Sequence, residues 1–250
     1  MLTEERYEYI LAQLKKYGLV KSQDLMHYLD CSESTIRRDL ALLEETGELT
    51  RIHGGAKKVY RIDEELSISE KASINVQEKE EIAKFASSLI EENDTIYLDA
   101  GTTTLYLIPY LKNKNIQVVT NGIQHAVLLA DQQTKTILLG GNIKAKTKAI
   151  IGITTTSQLE NYRFNKCFLG INGIDAEFGY TTPDVEEAAV KRQAHLHSSK
   201  TFILADKSKF NKVSFVKICE LEDAVIVTQG LDSATHKSYF SKTTIKEAKI

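Results

Sequence analysis

The sequence predicts an α/β protein of two parts, a small helical domain with a hairpin followed by a doubly wound, mostly parallel sheet. Three observations support this. Residues 1–60 contain three helical segments joined by short turns and end in a Gly-Gly hairpin. Residues 77–250 alternate short apolar strands with amphipathic helices, which is typical of a parallel sheet covered on both faces. Residues 61–76 are polar and weakly periodic, and we interpret them as a linker.

The composition is that of a globular protein from a reducing compartment. The 250 residues carry a formal net charge of −2, with 42% hydrophobic and 26% charged residues. The start has adjacent glutamates and no apolar signal core, and no later run has the length of a transmembrane helix, so we expect a cytoplasmic protein with no membrane partner. The three cysteines show no CxxC spacing and the six histidines no HExxH, so we expect no metal and no cofactor.

Capping residues set the three N-terminal helices. The first is predicted from Thr3 to Gly18, where its apolar residues recur at helical spacing. A second, short helix follows Ser22. Ser32 can cap a third helix that runs to about Thr46. Helix, short turn, helix is the pattern of a helix-turn-helix motif.

The third helix has two different faces. Steps of 100° place Ile36, Leu40 and Leu43 in one narrow sector and Arg37 and Arg38 on the opposite side. Arginines in the first turns oppose the helix macrodipole, which carries partial positive charge at this end. A recognition helix that enters the major groove with its N-terminus needs this arrangement. The alternative is a solvated surface on which these arginines pair with a nearby acid, Asp39 or Glu45.

The segment "ELTRIHGGAKKVYR" after Gly47 predicts a hairpin wing with cations at its tip. The net charge of this domain does not itself favour DNA, since residues 1–60 hold nine Lys and Arg against ten Asp and Glu. The placement of the cations carries the argument.

These residues resemble a known family. "SESTIRRDLALLEETGELTRIHGGA" is similar to the winged helix-turn-helix of the DeoR family of bacterial sugar-operon repressors. With the basic face and the wing, the resemblance implies binding to double-stranded operator DNA. The predicted contacts are Ser32, Ser34, Thr35, Arg37, Arg38, Arg51, His53, Gly54, Gly55 and Lys57.

Six apolar segments predict the parallel strands of the second domain: "TIYLDA", "IQVVTN", "KTILLGG", "KCFLGI", "TFILAD" and "AVIVTQ". Ligands of such sheets bind at the carboxyl ends of the strands. The first segment continues into "GTTT", where backbone N–H groups and hydroxyls form a good oxyanion site. The loop lacks the GK[ST] and GxGxxG patterns of nucleotide sites. Taken alone, such a loop is as often an ordinary N-cap as a binding site.

Other strand ends are also polar. Each one alone could be only a turn. All six strands end in small, amide or charged residues, however, and lysines supply the charge that a sugar phosphate requires. The later segment "GYTTPDVEEAAVKRQ" places polar residues ahead of a helix. Its alternative interpretation is a capped, solvated helix with internal ion pairs, and for Glu187 and Arg192 this alternative is as well supported as a binding role.

The motifs "DAGTTT", "TTPD" with "EAAVKR", and "ADKSKF" resemble the effector domain of the same family, which is similar in fold to ribose-5-phosphate isomerase. The resemblance to fructose-operon repressors in particular implies fructose 1-phosphate as the effector. Two Glu-Lys pairs before this domain make Lys71 and Lys79 candidates for sensing an occupied site. The full predicted effector site comprises Lys71, Lys79, Asp99, Gly101, Thr102, Thr103, Thr104, Asn121, Gly141, Asn172, Gly173, Asp175, Thr181, Thr182, Asp184, Glu186, Lys191, Asp206 and Lys209.

Two function classes follow from these motifs. The first is a repressor released by a phosphorylated sugar, and such readers of DNA half-sites are usually homo-oligomers. Tagatose 6-phosphate and glycerol 3-phosphate are alternative effectors. The second class is a sugar-phosphate isomerase with an added helical domain, in which Asp99, Asp175 or Glu186 would serve as the base. We favour the repressor, because an enzyme has no use for the basic helix and the wing.

Overall fold

The protein forms two compact units, Met1–Arg61 and Ile62–Ile250. The structure, a computed structural model, describes residues 2–59, 66–112 and 114–248. The expected linker, residues 61–76, is divided by these bounds. Residues 61–65 lie outside the described residues, as does Tyr60 of the predicted wing, whereas residues 66–76 belong to the second unit and contain a short helix.

The N-terminal unit combines three helices with a three-stranded antiparallel sheet. Its elements in chain order are α1 (Thr3–Tyr17), β1 (Leu19–Lys21), α2 (Ser22–Leu29), α3 (Glu33–Glu45), β2 (Leu49–Ile52) and β3 (Gly55–Lys58). The predicted helix-turn-helix and hairpin are therefore confirmed. The unpredicted β1 pairs with β3, so the sheet order is β1-β3-β2.

The apolar face of α3 packs into the core of this unit as predicted. Ile36, Leu40 and Leu43 are buried among side chains of α1 and α2. Asp39 on the same helix is also buried, and it accepts hydrogen bonds from Arg6 Nε at 2.7 Å and Arg6 Nη2 at 3.0 Å. This bidentate ion pair joins α1 to α3 and orients the opposite, basic face of α3 outward.

The hairpin turns at His53 and Gly54, and Gly55 already belongs to β3. Gly54 has φ +81° and open space around its Cα, which is the conformation that a two-residue turn demands. Gly55 is buried, and a Cβ at this position would lie 2.0 Å from the carbonyl oxygen of Val20. The second glycine therefore permits β1 to approach β3.

A seven-stranded parallel sheet forms the centre of the second unit, in the order β15-β14-β12-β9-β4-β5-β6. Its strands are β4 (Thr95–Leu98), β5 (Gln117–Thr120), β6 (Lys135–Leu138), β9 (Lys166–Gly170), β12 (Thr201–Leu204), β14 (Val225–Thr228) and β15 (Ile245–Glu247). The first six match the six predicted segments. The seventh, β15, was not predicted, because "IKE" lacks the apolar run of the others.

Helices cover both faces of the sheet, as the doubly wound prediction requires. They are α4 (Ile68–Ala72), α5 (Val76–Ser87), α6 (Thr102–Leu105), α7 (Ile123–Asp131), α8 (Ile153–Glu160), α9 (Val185–Leu196) and α10 (Ser233–Phe240). Neighbouring strand residues enter different cores: Ile96 packs with residues of α5, whereas Tyr97 packs with residues of α8 and α9. The two-residue period of the strands thus divides the apolar side chains between two layers.

Five shorter strands lie outside the parallel sheet. The hairpin β7 (Asn142–Lys144) and β8 (Ala149–Ile151) follows β6. A three-stranded antiparallel sheet contains β10 (Gly173–Asp175), β11 (Gly179–Thr182) and β13 (Val216–Cys219). The segment "GYTT", whose Thr181 and Thr182 were predicted to bind the effector, is therefore a buried strand.

Substitution of Gly55 by Ala should destabilise the N-terminal unit by about 2 kcal/mol or more, because the added Cβ meets a backbone carbonyl that has no room to move. Hydrogen exchange of the α3 amides in the full chain measures the effect. Gly54→Asn is the matched control, since Asn tolerates the left-handed conformation and nothing lies near its Cβ. Equal protection of α3 in both variants would contradict this role of Gly55.

Candidate functional site

A cleft opens at the point where the order of the parallel sheet reverses. The chain runs from β4 outward through β5 and β6, and then returns to β9 on the other side of β4. The residues that follow β4 and β9 consequently face each other at the carboxyl edge of the sheet. The cleft is lined by Leu66, Ile68, Lys71, Ile74, Lys79, Asp99, Ala100, Gly101, Thr102, Thr103, Asn121, Thr147, Ala149, Gly170, Ile171, Asn172, Glu187, Lys191, Asp206 and Lys209.

Residues 66–75, here called the strap, contribute one wall of this cleft through Leu66, Ile68, Lys71 and Ile74. The strap is held at two places by hydrogen bonds. Ile68 N donates to Lys146 O at 3.1 Å in the β7–β8 hairpin. Asn75 Nδ2 donates to Asp206 Oδ1 at 3.0 Å, beyond the end of β12. The strap therefore reaches across the cleft from one flank of the sheet to the other.

The Lys79 ammonium forms a third attachment of the strap. Lys79 is buried, and its Nζ donates to the carbonyl oxygen of Ile74 at 2.6 Å and to that of Lys71. Burial lowers the pKa of Lys79, and the nearby Lys209 and Lys71 lower it further, against the opposing effect of Asp206. Among the described residues, the ammonium is thus bonded to neutral carbonyls and contacts no carboxylate.

Lys209 faces the same part of the cleft, in the 3-10 turn Lys207–Lys209 after β12. Within the described part of the chain, its ammonium has no hydrogen-bond or ion-pair partner. Burial lowers the pKa of Lys209, Asp206 opposes this shift, and Lys71 and Lys212 act in the same direction as burial. Lys79 and Lys209 therefore lie in one cluster with Lys71 and Asp206, whose charges act on both.

The loop after β4 adds hydroxyls to the cleft. Thr102 and Thr103 begin α6, where helix geometry leaves the first backbone N–H groups without intrahelical acceptors. Gly101 allows this loop to approach β9, since a Cβ on Gly101 would lie 3.3 Å from the Cα of Gly170. The "GTTT" motif thus lies at the cleft, although its third threonine does not.

A buried ion pair lies at the base of the cleft. Lys191 Nζ, from α9, binds Asp99 Oδ2, and the same oxygen accepts a hydrogen bond from Gly170 N at 3.1 Å. The side chains of Asp99 and Lys191 are 2% and 7% exposed. This pair joins the end of β4 to α9 and fixes the aspartate between two strand ends.

Glu187 lines the cleft, whereas its neighbour Glu186 was the predicted effector residue. Glu187 Oε1 accepts a hydrogen bond from Thr147 Oγ1 at 2.6 Å and lies 3.2 Å from Lys144 Nζ. Glu186 is exposed on the adjacent face of α9. Thr147 was also missed, because the short β7–β8 hairpin gave no strong pattern. Only the phase of α9 against the sheet distinguishes the two glutamates.

Eight predicted effector residues do not line the cleft: Thr104, Gly141, Gly173, Asp175, Thr181, Thr182, Asp184 and Glu186. Four of these side chains, two threonines and two aspartates, form hydrogen bonds with other parts of the protein. Thr104 Oγ1 donates to Asp99 O, and Asp175 Oδ1 accepts from Glu177 N and Phe178 N in a turn. Thr181 Oγ1 donates to Gly173 O, and Asp184 caps α9 by accepting from Glu187 N.

Two of the other residues outside the cleft are glycines in close packing, and a third orients a residue that lines the cleft. A Cβ on Gly141 would lie 2.2 Å from Thr155 Oγ1, and one on Gly173 would lie 2.5 Å from Lys212 O, so both glycines serve close packing. Thr182 Oγ1 donates to Asn172 Oδ1 at 3.2 Å and orients an amide that does line the cleft. The eleven other predicted effector residues line the cleft.

Asn121 lines the cleft with an amide that is already engaged. Its Oδ1 accepts from Tyr97 OH at 2.9 Å and from Ala100 N at 3.1 Å, and its Nδ2 donates to Ile150 O at 3.0 Å. These bonds hold the ends of β4, β5 and β8 together. Asn121 therefore shapes the cleft wall.

In the N-terminal unit, Arg37 and Arg38 are exposed at the start of α3. Arg37 Nη2 lies 2.6 Å from Glu33 Oε1, an exposed pair of the kind that contributes little to stability. Among the described residues, neither arginine pairs with Asp39 or Glu45. Hydroxyls adjoin the same helix end, where Ser32 Oγ lies 2.9 Å from both Ser34 Oγ and Thr35 Oγ1.

The wing offers a smaller exposed surface than predicted. Arg51, His53, Gly54 and Lys57 are exposed, and among the predicted wing contacts Gly55 is buried. Arg51 Nε donates to Glu44 Oε2 at 2.6 Å, and this bond lowers the pKa of Glu44. Arg51 thereby fastens the wing to α3. The structure corrects the prediction for Gly55, which is buried beneath β1 and serves strand packing.

A cluster of His195, Cys219 and Asp223 lies away from the cleft, with possible ligand atoms within 4.8 Å of one another. Burial, with a smaller effect of Asp223, raises the pKa of Cys219 to about 12. The thiol is therefore protonated at neutral pH. Each helix within residues 2–59, 66–112 and 114–248 is too short or too polar to span a bilayer.

Substitution of Lys191 by Met should lower the free energy of unfolding by about 3 kcal/mol, because it leaves Asp99 charged and buried. Denaturant unfolding measures this loss. The double variant Asp99→Asn/Lys191→Met should recover part of it, since no uncompensated charge remains. Lys84→Met, which removes an exposed ammonium from α5, is the control. An equal loss in the single and double variants would contradict the ion-pair argument.

Two family models match the chain, one for each unit. Residues 6–61 match the DeoR-like helix-turn-helix domain, and residues 74–230 match the DeoR C terminal sensor domain. The ribose 5-phosphate isomerase A structure from Methanocaldococcus jannaschii aligns over 54% of this chain and 55% of its own, with 15% identity and a TM-score of 0.42.

Curated relatives extend the match over the full length. The HTH-type transcriptional regulator FruR of Bacillus subtilis is 46% identical over 250 residues, which is 100% of both chains. A lactose phosphotransferase system repressor of Staphylococcus epidermidis is 36% identical over 88% of each chain, and the regulator GlpR of Haloferax volcanii is 34% identical over 92% of this chain and 91% of its own. These relatives are regulators and repressors, which decides against the isomerase alternative. With both units matched and a relative aligned from end to end, the chain belongs to the DeoR family of transcriptional regulators.

Proposed function

We propose that this protein is a cytoplasmic, homo-oligomeric repressor of a sugar-utilisation operon, released from its operator by a phosphorylated sugar that binds in the cleft. One observation carries the proposal: Lys71, Lys79 and Lys209 converge with threonine hydroxyls at the carboxyl edge of the sheet. Among the described residues, the Lys209 ammonium has no hydrogen-bond or ion-pair partner and that of Lys79 bonds to carbonyl oxygens, so this part of the cleft keeps positive charge. A phosphate dianion is the natural counter-charge for such a cluster.

Polar groups at the base of the cleft suit a sugar. Carboxylates and amides accept hydrogen bonds from hydroxyls, and Asp99, Glu187 and Asn172 supply them in the same cleft. The similarity to the regulator named FruR supports fructose 1-phosphate as the effector. Other relatives are named for lactose transport or as GlpR, so tagatose 6-phosphate and glycerol 3-phosphate are the alternatives to be tested.

The strap supplies a physical route from the cleft toward the DNA-binding unit. Lys79 holds the strap through two backbone carbonyls, those of Lys71 and Ile74. A phosphate in the cleft attracts the same ammonium more strongly than a neutral carbonyl does, because the bond is then between full charges. Effector binding therefore competes with strap attachment, and the strap follows residues 60–65 directly in the chain.

Operator recognition is assigned to the exposed face of α3 and the tip of the wing. Ser32, Ser34 and Thr35 offer hydroxyls, and Arg37 and Arg38 offer guanidinium groups, at the helix end that enters a major groove. The wing adds His53, Gly54 and Lys57. Arg51 contributes through its bond to Glu44, which sets the wing against the helix.

Arg38→Ala and Arg37→Ala should each weaken operator binding by roughly 1–3 kcal/mol and leave effector binding unchanged. Mobility shift with an operator fragment at several salt concentrations measures this loss. A variant with altered sequence preference identifies a base contact, and one with only a smaller salt slope identifies a phosphate contact. Arg163→Ala, which removes an exposed arginine from the second unit, is the control. Wild-type operator affinity in both α3 variants would refute the recognition-helix assignment.

Lys209→Ala and Thr102→Val should yield repressors that bind the operator but do not respond to effector. The first removes an ammonium without a protein partner, and we expect roughly a tenfold or greater loss of effector affinity. The second removes a hydroxyl without a change of shape. Titration calorimetry with fructose 1-phosphate measures both. Lys207→Ala is the matched control, because Lys207 lies on the same turn but is exposed and outside the cleft. If Lys207→Ala behaves like Lys209→Ala, the effect is not specific to the cleft.

The function itself is tested by release of the operator. Fructose 1-phosphate should dissociate the complex in a mobility-shift titration, whereas fructose 6-phosphate, tagatose 6-phosphate and glycerol 3-phosphate should not. Linkage requires that operator DNA weaken effector binding by the same factor, typically about 5- to 150-fold. Release by one of the other compounds alone would replace fructose 1-phosphate as effector and retain the sensor. No release by any of them would refute the sensor.

A further inference from the structure

The charged groups of the cleft form two separate clusters. The first contains Lys71, Lys79, Lys209 and Asp206, and the pKa values of Lys79 and Lys209 are shifted by members of this cluster. The second contains Glu187, which is bonded to Lys144 and Thr147.

Sheet topology separates these clusters in space. Asp206 and Lys209 follow β12, whereas Thr147 lies in the β7–β8 hairpin, whose Ile150 is bonded to Asn121 at the end of β5. The order β12-β9-β4-β5 places three strand spacings between these flanks, or roughly 14 Å. The cleft therefore has a cationic flank and a second flank that carries Glu187.

The second flank keeps a negative charge and an available acceptor. Lys144 is shared by two carboxylates, at 3.0 Å from Asp184 Oδ2 and 3.2 Å from Glu187 Oε1, so one ammonium and two carboxylates leave a formal charge of −1. Lys144 does not itself line the cleft. The bonds of Glu187 to Thr147 and Lys144 involve Oε1, and among the described residues Oε2 accepts no hydrogen bond. This oxygen is suited to a sugar hydroxyl and repels a second phosphate.

The lysine at the base of the cleft does not change this balance. Lys191 binds Asp99, and the pair is formally neutral. A phosphate on the far carbon of a bound sugar would thus face Glu187, and among the described cleft-lining residues outside the cationic flank the one lysine, Lys191, is already paired with Asp99.

We propose that Glu187 restricts the effector to sugar monophosphates: it accepts a hydroxyl of the sugar and rejects, by like charge, a sugar that carries a second phosphate. This inference rests on the proposed function, since it presupposes a phosphosugar in the cleft. Discrimination of this kind uses a repulsive group against the wrong ligand in addition to contacts with the right one.

Calorimetric titration of the full chain with fructose 1-phosphate, fructose 6-phosphate and fructose 1,6-bisphosphate tests the proposal. The bisphosphate should bind roughly tenfold or more weakly than the better of the two monophosphates, because like charges then oppose each other in the cleft. In Glu187→Gln, which keeps an oxygen for Thr147, this ratio should shrink by about fivefold or more, with most of the change in the bisphosphate.

Glu186→Gln is the matched control, because it removes the same charge from the same helical turn but from an exposed side chain outside the cleft. It should leave the ratio as in the wild type. Equal binding of bisphosphate and monophosphate by the wild type would overturn the selectivity and leave the phosphosugar sensor intact. A ratio that is unchanged in Glu187→Gln would overturn the role of this residue. Binding of none of the three compounds would overturn both the inference and the proposed fructose effector.

Discussion

The reversal of strand order between β4 and β9 is the constraint on which the cleft depends. Parallel strands present all their carboxyl ends at one edge of the sheet. Connections that all left these ends in the same direction would cover that edge. Because the chain leaves β4 in one direction and returns to β9 in the other, the two strand ends stay uncovered side by side. Gly101 and Gly170 meet at this point, and a Cβ on Gly170 would lie 3.4 Å from Gly101 Cα.

The ion pair at the base of the cleft is neutral, so the charged groups at the rim determine the electrostatic field there. Asp99 sits between the two strand ends and would repel an anion if it were unpaired. Lys191 binds it, and the N–H of Gly170 adds a second donor. The field in the cleft is then set by the strap lysine, Lys79 and Lys209 on one flank and by Glu187 on the other. The buried ion pair thus has a structural role and adds no net charge to the cleft.

Much of this arrangement was predictable from local pattern. The six apolar segments, the face of α3 and the loop at Thr102 all follow from periodicity or from small residues after a strand. The pattern does not fix how a helix is rotated against its sheet, and so Glu186 was chosen where Glu187 faces the cleft. It also does not reveal close approach between distant segments, so Gly55 was interpreted as a wing contact although it accommodates β1.

The other features that were not predicted from the sequence share one physical origin. Short antiparallel strands such as β11 are stabilised by partners far away in the chain, and their own residues carry little signal; Thr181 pairs with Lys217 of β13. The strap was interpreted as a linker because its residues are polar and few. Its order comes from Lys79 and Asp206, whose bonds to it span 8 and 131 residues of the chain. Tertiary hydrogen bonds of this range are not readable from a local window.

Under the proposed function, these long-range bonds give the strap a response to charge. Among the hydrogen bonds that hold the strap to the described residues, those at Lys79 and at Asp206 belong to the cationic flank of the cleft. A ligand shifts an equilibrium only by its difference in affinity for the two states. A phosphate that gains Lys79 when the strap leaves it has such a difference, whereas a neutral sugar, which makes no stronger bond to an ammonium than a backbone carbonyl does, has almost none. The choice of neutral carbonyls as partners for a buried lysine therefore makes the strap sensitive to anions in particular.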